Sequence, residues 1–310
     1  MRIVAEKPGR VDKLLADTLP QYSRSALAKL FDKGLVVLDG RIVPAGHKVR
    51  EGAVIDADIS PLEQEQQVVE LPILYEDDDV MVIDKPTGII SHARGRYWYE
   101  PSVASFVRWK LTGGEKLKGT VIPNDIHIPD DLVTKSYPMP ENITENSDRM
   151  GIVHRLDRAT SGVMICAKND NALTFLQKQF SNRTVIKKYS AVLDGIPKCD
   201  EAVIDAPIER NPKKPSTFRI GPNGKSSQTH YIVIRKGTNR ALVEFTPKTG
   251  RTHQLRIHAA YIKCSIHGDD LYGKKDGRLL LHAHSLEITL PGGERRTFTS
   301  EIPQEFYNAL

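Results

Sequence analysis

The residues best suited to chemistry in this chain lie at positions 154–162, with the sequence HRLDRATSG. Asp157 stands there between Arg155 and Arg158, and nearby cations favour the ionised form of a carboxyl group. Such a carboxylate can act as a nucleophile or as a fixed negative charge. Guanidinium groups also pair well with phosphate oxygens. The segment predicts carboxylate chemistry on a nucleic acid, although a surface ion-pair network would give the same electrostatic pattern.

The same run resembles the catalytic motif of the RluA family of RNA pseudouridine synthases, His-Arg-Leu-Asp-x-x-Thr-Ser/Thr-Gly. Where the family most often has Lys after the Asp, this chain has Arg158, which keeps the positive charge. Further segments match the family's motifs in the family's order, and the resemblance spans residues 72 to about 290. These matching segments are KPTG at 85–88, KYSAVLDG at 188–195, TGRTHQLRIH at 249–258, and GDDLYG at 268–273 with LHAH at 281–284.

The resemblance implies an isomerase that breaks the C1′–N1 bond of uridine and rejoins the base to the ribose through C5. It assigns Asp157 to the ribose, as attacking group or as proton acceptor, and Arg251 to pairing with Asp157. Tyr189 is expected to stack on the uracil and to accept or relay the C5 proton. Arg155 is expected to fill the space left by the flipped nucleotide or to bind its phosphate. The other substrate-binding candidates are His154, Arg158, Leu255 and Ile257.

This reaction involves no redox change and no external group, so no cofactor is expected. The three cysteines are far apart in the sequence and have no metal-like spacing, which predicts free thiols. Paired histidines at 253, 258, 282 and 284 lack carboxylate or cysteine partners at ligand spacing. We therefore expect no metal.

Residues 1–60 have the pattern of a small separate domain. Apolar residues recur at helical spacing in 11–19, and a second helix is predicted to open at Ser23. Short strands are predicted at 35–38 and 54–59, with a turn at Asp39-Gly40. This order resembles an S4 RNA-binding domain. Its candidate RNA-binding residues are Arg24, Lys29, Lys33 and Arg41, and the alternative is that they form the solvated faces of amphipathic helices.

The polar residues 61–71 are predicted to be a linker, and residues 72–310 the catalytic domain with an insertion at about 93–149. Strands are predicted at 79–84, 231–234 and 242–245, and helices at 103–111 and after a cap at Asp170. Strand pairs with irregularly placed helices favour an α+β fold with a mixed, largely antiparallel sheet.

Bulk properties fit an RNA-binding protein without demonstrating one. The 310 residues carry a net charge of +5 with a pI near 8.9. No apolar run approaches the roughly 20 residues of a membrane span, and residues 1–7 lack a signal-peptide core. We expect a cytoplasmic monomer with no membrane partner. Because S4-bearing members of the resembled family suggest it, ribosomal RNA is favoured over transfer RNA.

Two other functions stay open at this point. The chain could be a catalytically silent S4-type RNA-binding protein, although binding alone does not require the combination of Asp157, Tyr189 and Arg251. It could also be a base-excising glycosidase, which would use a similar carboxylate together with an activated water. Product analysis distinguishes the three functions, since only the glycosidase releases free uracil.

Overall fold

The computed structural model describes residues 1–22, 24–63, 66–92, 101–111, 134–137 and 150–310. They group into two compact units, one built around residues 1–67 and the other from 68–92, 101–111 and 150–310. No helix in these ranges combines the length and the apolar composition that crossing a bilayer requires.

The core of the first unit is built from two helices and a four-stranded antiparallel sheet in the order β1-β6-β3-β4. One face of each helix is apolar, and Leu15, Leu27 and Leu30 are buried in a core with Val36 and Ile55 of the sheet. The two predicted helices and the strands after them are present, but two short strands, β1 and β2, precede the first helix and were not predicted. The elements are β1 (Arg2–Val4), β2 (Gly9–Arg10), α1 (Val11–Thr18), α2 (Arg24–Asp32), β3 (Val36–Leu38), β4 (Arg41–Ile42), β5 (Lys48–Val49) and β6 (Val54–Ala57).

The turn between β3 and β4 lies at Asp39 and Gly40, as predicted. Their φ angles are 46° and 81°, and positive φ at both central residues is what a type I′ hairpin requires. Aspartate tolerates this backbone and glycine adopts it without steric cost. The predicted start of α2, Ser23, lies outside the described residues.

The predicted linker contains regular structure. Helix α3 (Ser60–Glu63) follows Asp58, whose Oδ1 accepts the Ser60 N–H at 3.0 Å, and the strand predicted at 54–59 therefore ends at Ala57. Strand β7 (Gln66–Val69) pairs with β10 (Thr134–Tyr137) in a two-stranded sheet. Because that partner is distant in sequence, composition could not indicate the pairing. The domain boundaries at 60 and 72 stay predictions.

A nine-stranded sheet forms the centre of the second unit, in the order β13-β16-β17-β12-β18-β11-β9-β8 with β19 beside β18. Strands β11 and β18 are parallel, and the other paired neighbours are antiparallel. The predicted α+β fold with a mixed, largely antiparallel sheet is confirmed. The strands are β8 (Ile73–Glu76), β9 (Val80–Lys85), β11 (Ser161–Ala167), β12 (Ile186–Asp194), β13 (Glu201–Asp205), β16 (Gln228–Lys236), β17 (Arg240–Pro247), β18 (Leu281–Thr289) and β19 (Arg295–Thr299), with a separate hairpin of β14 (Ile208–Arg210) and β15 (Phe218–Ile220).

Helices pack on both faces of this sheet. Ala191 of β12 packs in one core with Leu255 of a helix, whereas its neighbour Val192 packs in another core with Phe306. Alternate residues of β12 therefore face opposite layers. The helices are α4 (Val103–Leu111), which confirms the predicted bounds, α5 (Asp170–Asn182), α6 (Gln254–Tyr261) and α7 (Gln304–Asn308).

The predicted cap of α5 is wrong by one residue. The N-cap is Asn169, whose side-chain oxygen accepts the Ala172 N–H at 2.9 Å, and Asp170 is the first helical residue. Both residue types suit this helix end, since Asn is a good N-cap and a carboxylate in the first turn interacts favourably with the helix dipole.

Gly162, the last residue of the HRLDRATSG run, lies where β11 meets β18. Its φ is +114°, and a Cβ added there would lie 2.3 Å from the Ala283 carbonyl oxygen. Only glycine permits this backbone and this close approach. The run therefore ends in a residue that the sheet itself requires.

Candidate active site

A cavity of about 450 Å³ lies beside Asp157 in the second unit. Its walls come from the segment before β11, from the end of α5 with the start of β12, and from the turn between β17 and α6. The three predicted catalytic residues, Asp157, Tyr189 and Arg251, all line it. The fold thus brings three motifs that are distant in the sequence to one site.

A buried lysine holds the backbone next to Asp157. Lys85 has no exposed surface, and its Nζ donates to the carbonyls of Pro86 at 2.9 Å, Ile89 at 2.7 Å and Arg158 at 3.3 Å. Burial lowers the pKa of Lys85 to about 7, against the opposing effect of the Asp157 carboxylate. Lys85 belongs to the KPTG motif but was not among the predicted site residues.

Two hydroxyl groups attach the segment that follows β9 to the residues that flank Asp157. Ser91 Oγ accepts the Leu156 N–H at 3.0 Å and donates to the Leu156 carbonyl at 2.7 Å. Thr87 Oγ1 donates to the Ala159 carbonyl at 3.1 Å. The backbone on either side of Asp157 is therefore fixed by the segment that contains the KPTG motif.

His253 is the one Lys, Arg or His side chain among the described residues with a nitrogen within 4.0 Å of the Asp157 carboxylate, and its Nε2 lies 3.9 Å from Oδ2. Its Nδ1 lies 2.8 Å from the Tyr272 hydroxyl, which accepts the Phe218 N–H at 3.0 Å and is free to donate to Nδ1. In that arrangement Nε2–H faces Asp157. Burial lowers the pKa of His253, against the effect of Asp157, and this favours the neutral imidazole.

Arg251 lines the cavity but does not pair with Asp157. Its Nε donates to the Ser226 carbonyl at 3.2 Å, and its backbone N–H donates to Gln254 Oε1 at 3.0 Å. The predicted pairing of Arg251 with Asp157 is therefore absent among the described residues. The turn into α6 directs Arg251 toward Ser226, and the left-handed backbone of His253, with φ of 56°, brings that residue to Asp157 instead.

Tyr189 lines the cavity from β12. Burial raises the pKa of its hydroxyl, and the Asp157 carboxylate raises it further. The side chain is therefore a neutral phenol, suited to stacking and poorly suited to accepting a proton as phenolate. Leu255 lines the cavity as predicted, whereas Ile257 is buried in α6 outside the lining. Residues two apart on a helix point to different faces, which is why the prediction failed for Ile257.

His154 supports the cavity wall as an uncharged side chain. Its Nε2 accepts the Ile165 N–H at 3.1 Å, and its ring stacks on Phe180 with centroids 4.6 Å apart. Burial lowers the pKa of His154 to about 3, and the nearby Lys187 ammonium adds to this shift. These contacts fit a positioning role for His154 more closely than a charged contact with RNA.

The two arginines that flank Asp157 differ in position. Arg155 is exposed and lines the cavity. Arg158 is exposed outside the lining, and its Nη1 is 3.4 Å from the Gly88 carbonyl. Arg155 is therefore available to substrate at the cavity mouth, whereas Arg158 is directed at the KPTG loop.

A buried ion pair holds the loop that carries Tyr272. Arg256 Nε donates to Asp269 Oδ2 at 2.8 Å and its Nη2 to Oδ1 at 2.6 Å. Asp269 Oδ1 also accepts the N–H groups of Leu271 and Tyr272, both at 3.0 Å. The position of Tyr272 against His253 thus depends on this pair.

The candidate RNA-binding residues of the first unit lie on α2 and the adjoining hairpin. Arg24, Lys33 and Arg41 are exposed, and Lys29 is half-buried one helical turn before Lys33. Burial lowers the pKa of Lys29, and the charge of Lys33 lowers it further. These side chains give the unit a basic surface next to its second helix.

Two protein-family models match this chain. Residues 79–261 match the RNA pseudouridylate synthase family, a match that covers more than half of the chain, and residues 9–55 match the S4 domain. The predicted S4 domain and the resemblance to the RluA family are thereby confirmed.

Individual proteins agree with these matches. A Bacillus subtilis protein named as an uncharacterized RNA pseudouridine synthase is 33% identical over 309 residues, which cover 97% of this chain and 92% of that protein. The ribosomal large subunit pseudouridine synthase D of Borreliella burgdorferi is 35% identical over 244 residues, covering 77% and 67%. The solved structure of human RNA pseudouridylate synthase domain containing 4 has a TM-score of 0.55 at 25% identity, covering 77% of this chain and 91% of that one. This chain therefore belongs to the RNA pseudouridylate synthase family.

Proposed function

We propose that this protein isomerises uridine to pseudouridine in large-subunit ribosomal RNA, in the cytoplasm. One observation carries the proposal: Asp157 and Tyr189 line one cavity in a chain of the RNA pseudouridylate synthase family. The RNA class is supported by the S4 match and by the Borreliella burgdorferi relative, whose name specifies the large ribosomal subunit.

Asp157 is the residue proposed to act at C1′ of the ribose, by direct attack or by proton abstraction. Its carboxylate is 22% exposed within the cavity and has no cation bound directly to it among the described residues, so its oxygens are open to substrate. Lys85, Ser91 and Thr87 hold the backbone around it through hydrogen bonds. A group held rigidly beside the reacting atom lowers the barrier by orientation alone.

Tyr189 is proposed to stack on the uracil while the base is detached and turned. Its ring faces the cavity and its hydroxyl is strongly biased toward the neutral form. We therefore propose Tyr189 as the surface that retains the base and not as a base acting through its phenolate. Arg155, exposed at the cavity, is proposed to occupy the space left by the flipped nucleotide.

The first unit is proposed to add affinity for RNA. Arg24, Lys33 and Arg41 are exposed cations suited to phosphate contacts. Such contacts position a protein on RNA without reading its sequence, so the choice of uridine is left to the second unit.

The proposal is tested by tritium release from unmodified transcripts labelled at uridine C5. Large-subunit ribosomal, small-subunit ribosomal and transfer RNA are assayed separately, with Asp157→Asn as the control. We expect release from the large-subunit transcript, no release with Asp157→Asn, and RNA binding unchanged in that variant.

Other outcomes would select the alternatives. Release from transfer RNA alone would reassign the substrate, and undiminished release with Asp157→Asn would reject Asp157 as the catalytic carboxylate. Binding without release from any RNA would favour the silent RNA-binding protein. Free uracil among the products would indicate a glycosidase instead.

A further inference from the structure

Lys187 is a half-buried cation that lines the active-site cavity and has no use in the mechanism above. Among the described residues, its Nζ has no hydrogen-bond or ion-pair partner. It lies close enough to His154 for its charge to lower the pKa of that imidazole. Burial also lowers the pKa of Lys187 itself. An ammonium group that is partly desolvated and unpaired destabilises the free protein, so a bound anion would compensate it.

The neighbouring lysine provides a contrast. Residues 187 and 188 point to opposite faces of β12, and Lys188 Nζ pairs with Glu244 Oε1 at 2.9 Å on the face away from the cavity. Lys187 shares the cavity face with Tyr189, about 7 Å away along the strand. That separation is comparable with the one between a base and its own backbone phosphate.

The charge of the cavity wall indicates which ligand Lys187 would bind. Lysine and arginine side chains outnumber Asp157, the only carboxylate among the described lining residues. A neutral carbonyl of uracil would leave the charge of Lys187 uncompensated, whereas RNA carries one negative charge per nucleotide. The lining cations are Arg155, Arg183, Lys187, Lys248, Arg251 and Arg256.

We propose that Lys187 forms a phosphate-binding subsite inside the cavity, which holds the RNA backbone phosphate next to the uridine whose base stacks on Tyr189. Arg183 lines the same cavity and is exposed, so it is available to an adjacent phosphate. Lys187 is thus a substrate-binding residue that helps to keep the nucleotide extruded. The inference rests on the proposed function, since it takes RNA as the ligand.

The test compares Lys187→Met with Lys188→Met, which removes one positive charge from the next residue on the opposite face. Binding of the large-subunit transcript is measured over a series of KCl concentrations, and kcat/KM by tritium release. We expect Lys187→Met to reduce the slope of log affinity against log salt by about 0.7 and to lower kcat/KM about tenfold. Lys188→Met should change neither, and Lys187→Arg should restore most of both.

A measurement on the free protein separates binding from a structural role. Because Lys187→Met removes an unpaired, partly desolvated charge, we expect its thermal midpoint without RNA to equal or exceed that of the native protein. A lower midpoint with a salt slope like that of Lys188→Met would overturn the subsite. If the native protein releases no tritium from any transcript, the proposed function fails, while the salt slopes still decide whether Lys187 binds phosphate.

Discussion

Arg256→Met should be among the most destabilising single changes near the active site. Arg256 and Asp269 form a two-point ion pair with side chains only 6% and 0% exposed. Removing Arg256 leaves a carboxylate buried without its cation, and breaking a buried pair in this way costs about 3–5 kcal/mol. For a cooperative unit of this size, each kcal/mol lowers the midpoint by about 2–4 °C, so we expect a fall of about 6–20 °C.

Calorimetry and urea unfolding measure this cost, and a double variant tests its cause. Asp269→Asn removes the buried charge while the amide oxygen still accepts the N–H groups of Leu271 and Tyr272. Arg256→Met with Asp269→Asn should therefore be more stable than Arg256→Met alone. The reasoning is refuted if the single variant loses less than about 1 kcal/mol, or if the double variant is the less stable of the two.

Two further perturbations test the framework around the cavity. The pKa of His154, about 3 in the folded protein, lies below its unfolded value, so the unfolded chain binds more protons and stability falls as pH drops from about 6.5 toward 3. His154→Gln should reduce the dependence of stability on pH by up to about 1.4 kcal/mol per pH unit in urea unfolding. An unchanged pH dependence would contradict the low pKa of His154. Gly162→Ala should cost about 2–5 kcal/mol, because its Cβ would clash with the Ala283 carbonyl. Gly292→Ala, where a Cβ meets nothing within 4 Å, is the matched control and should stay within about 0.5 kcal/mol.

Local signals account for the parts of the fold that were predicted correctly. The apolar spacing of 103–111 gave the bounds of α4, and the Asp39-Gly40 pair gave the β3–β4 turn. Turn residues between apolar runs also predicted an antiparallel sheet. The pairing of β7 with β10 was missed, because no local pattern reports a partner more than sixty residues away.

The candidate site was predicted in its motifs and missed in its contacts. Asp157 and Tyr189 meet in one cavity, as their order in the motifs implied. The neighbour of Asp157 is His253 and not Arg251, and His253 has a left-handed backbone with φ of 56° at the start of α6. Which side chain of this motif contacts Asp157 depends on how α6 packs. The residue types in TGRTHQLRIH do not predict it.

Lys85 and Lys187 illustrate why the charge of a residue did not reveal its role in the site. In the sequence they are two lysines among the 44 basic residues of the chain. In the fold, Lys85 is wholly buried against three carbonyls, whereas Lys187 faces a cavity without a partner among the described residues. Burial and partners, which only the tertiary structure supplies, distinguish a lysine that supports the backbone from one that is available to a ligand.

The cations around the cavity thus divide according to what neutralises them. Arg256 of the cavity wall is bound by Asp269, and on the opposite face of β12 Lys188 is bound by Glu244. These pairs hold the loop and the strands in place. Arg155 and Lys187 have no such carboxylate among the described residues. Since an unpaired cation gains no ion pair within the folded protein, its presence in a cavity is best explained by an anion that arrives with the substrate. The Asp157 carboxylate, which would repel the same phosphates, is then tolerable only because the cations around it outnumber it.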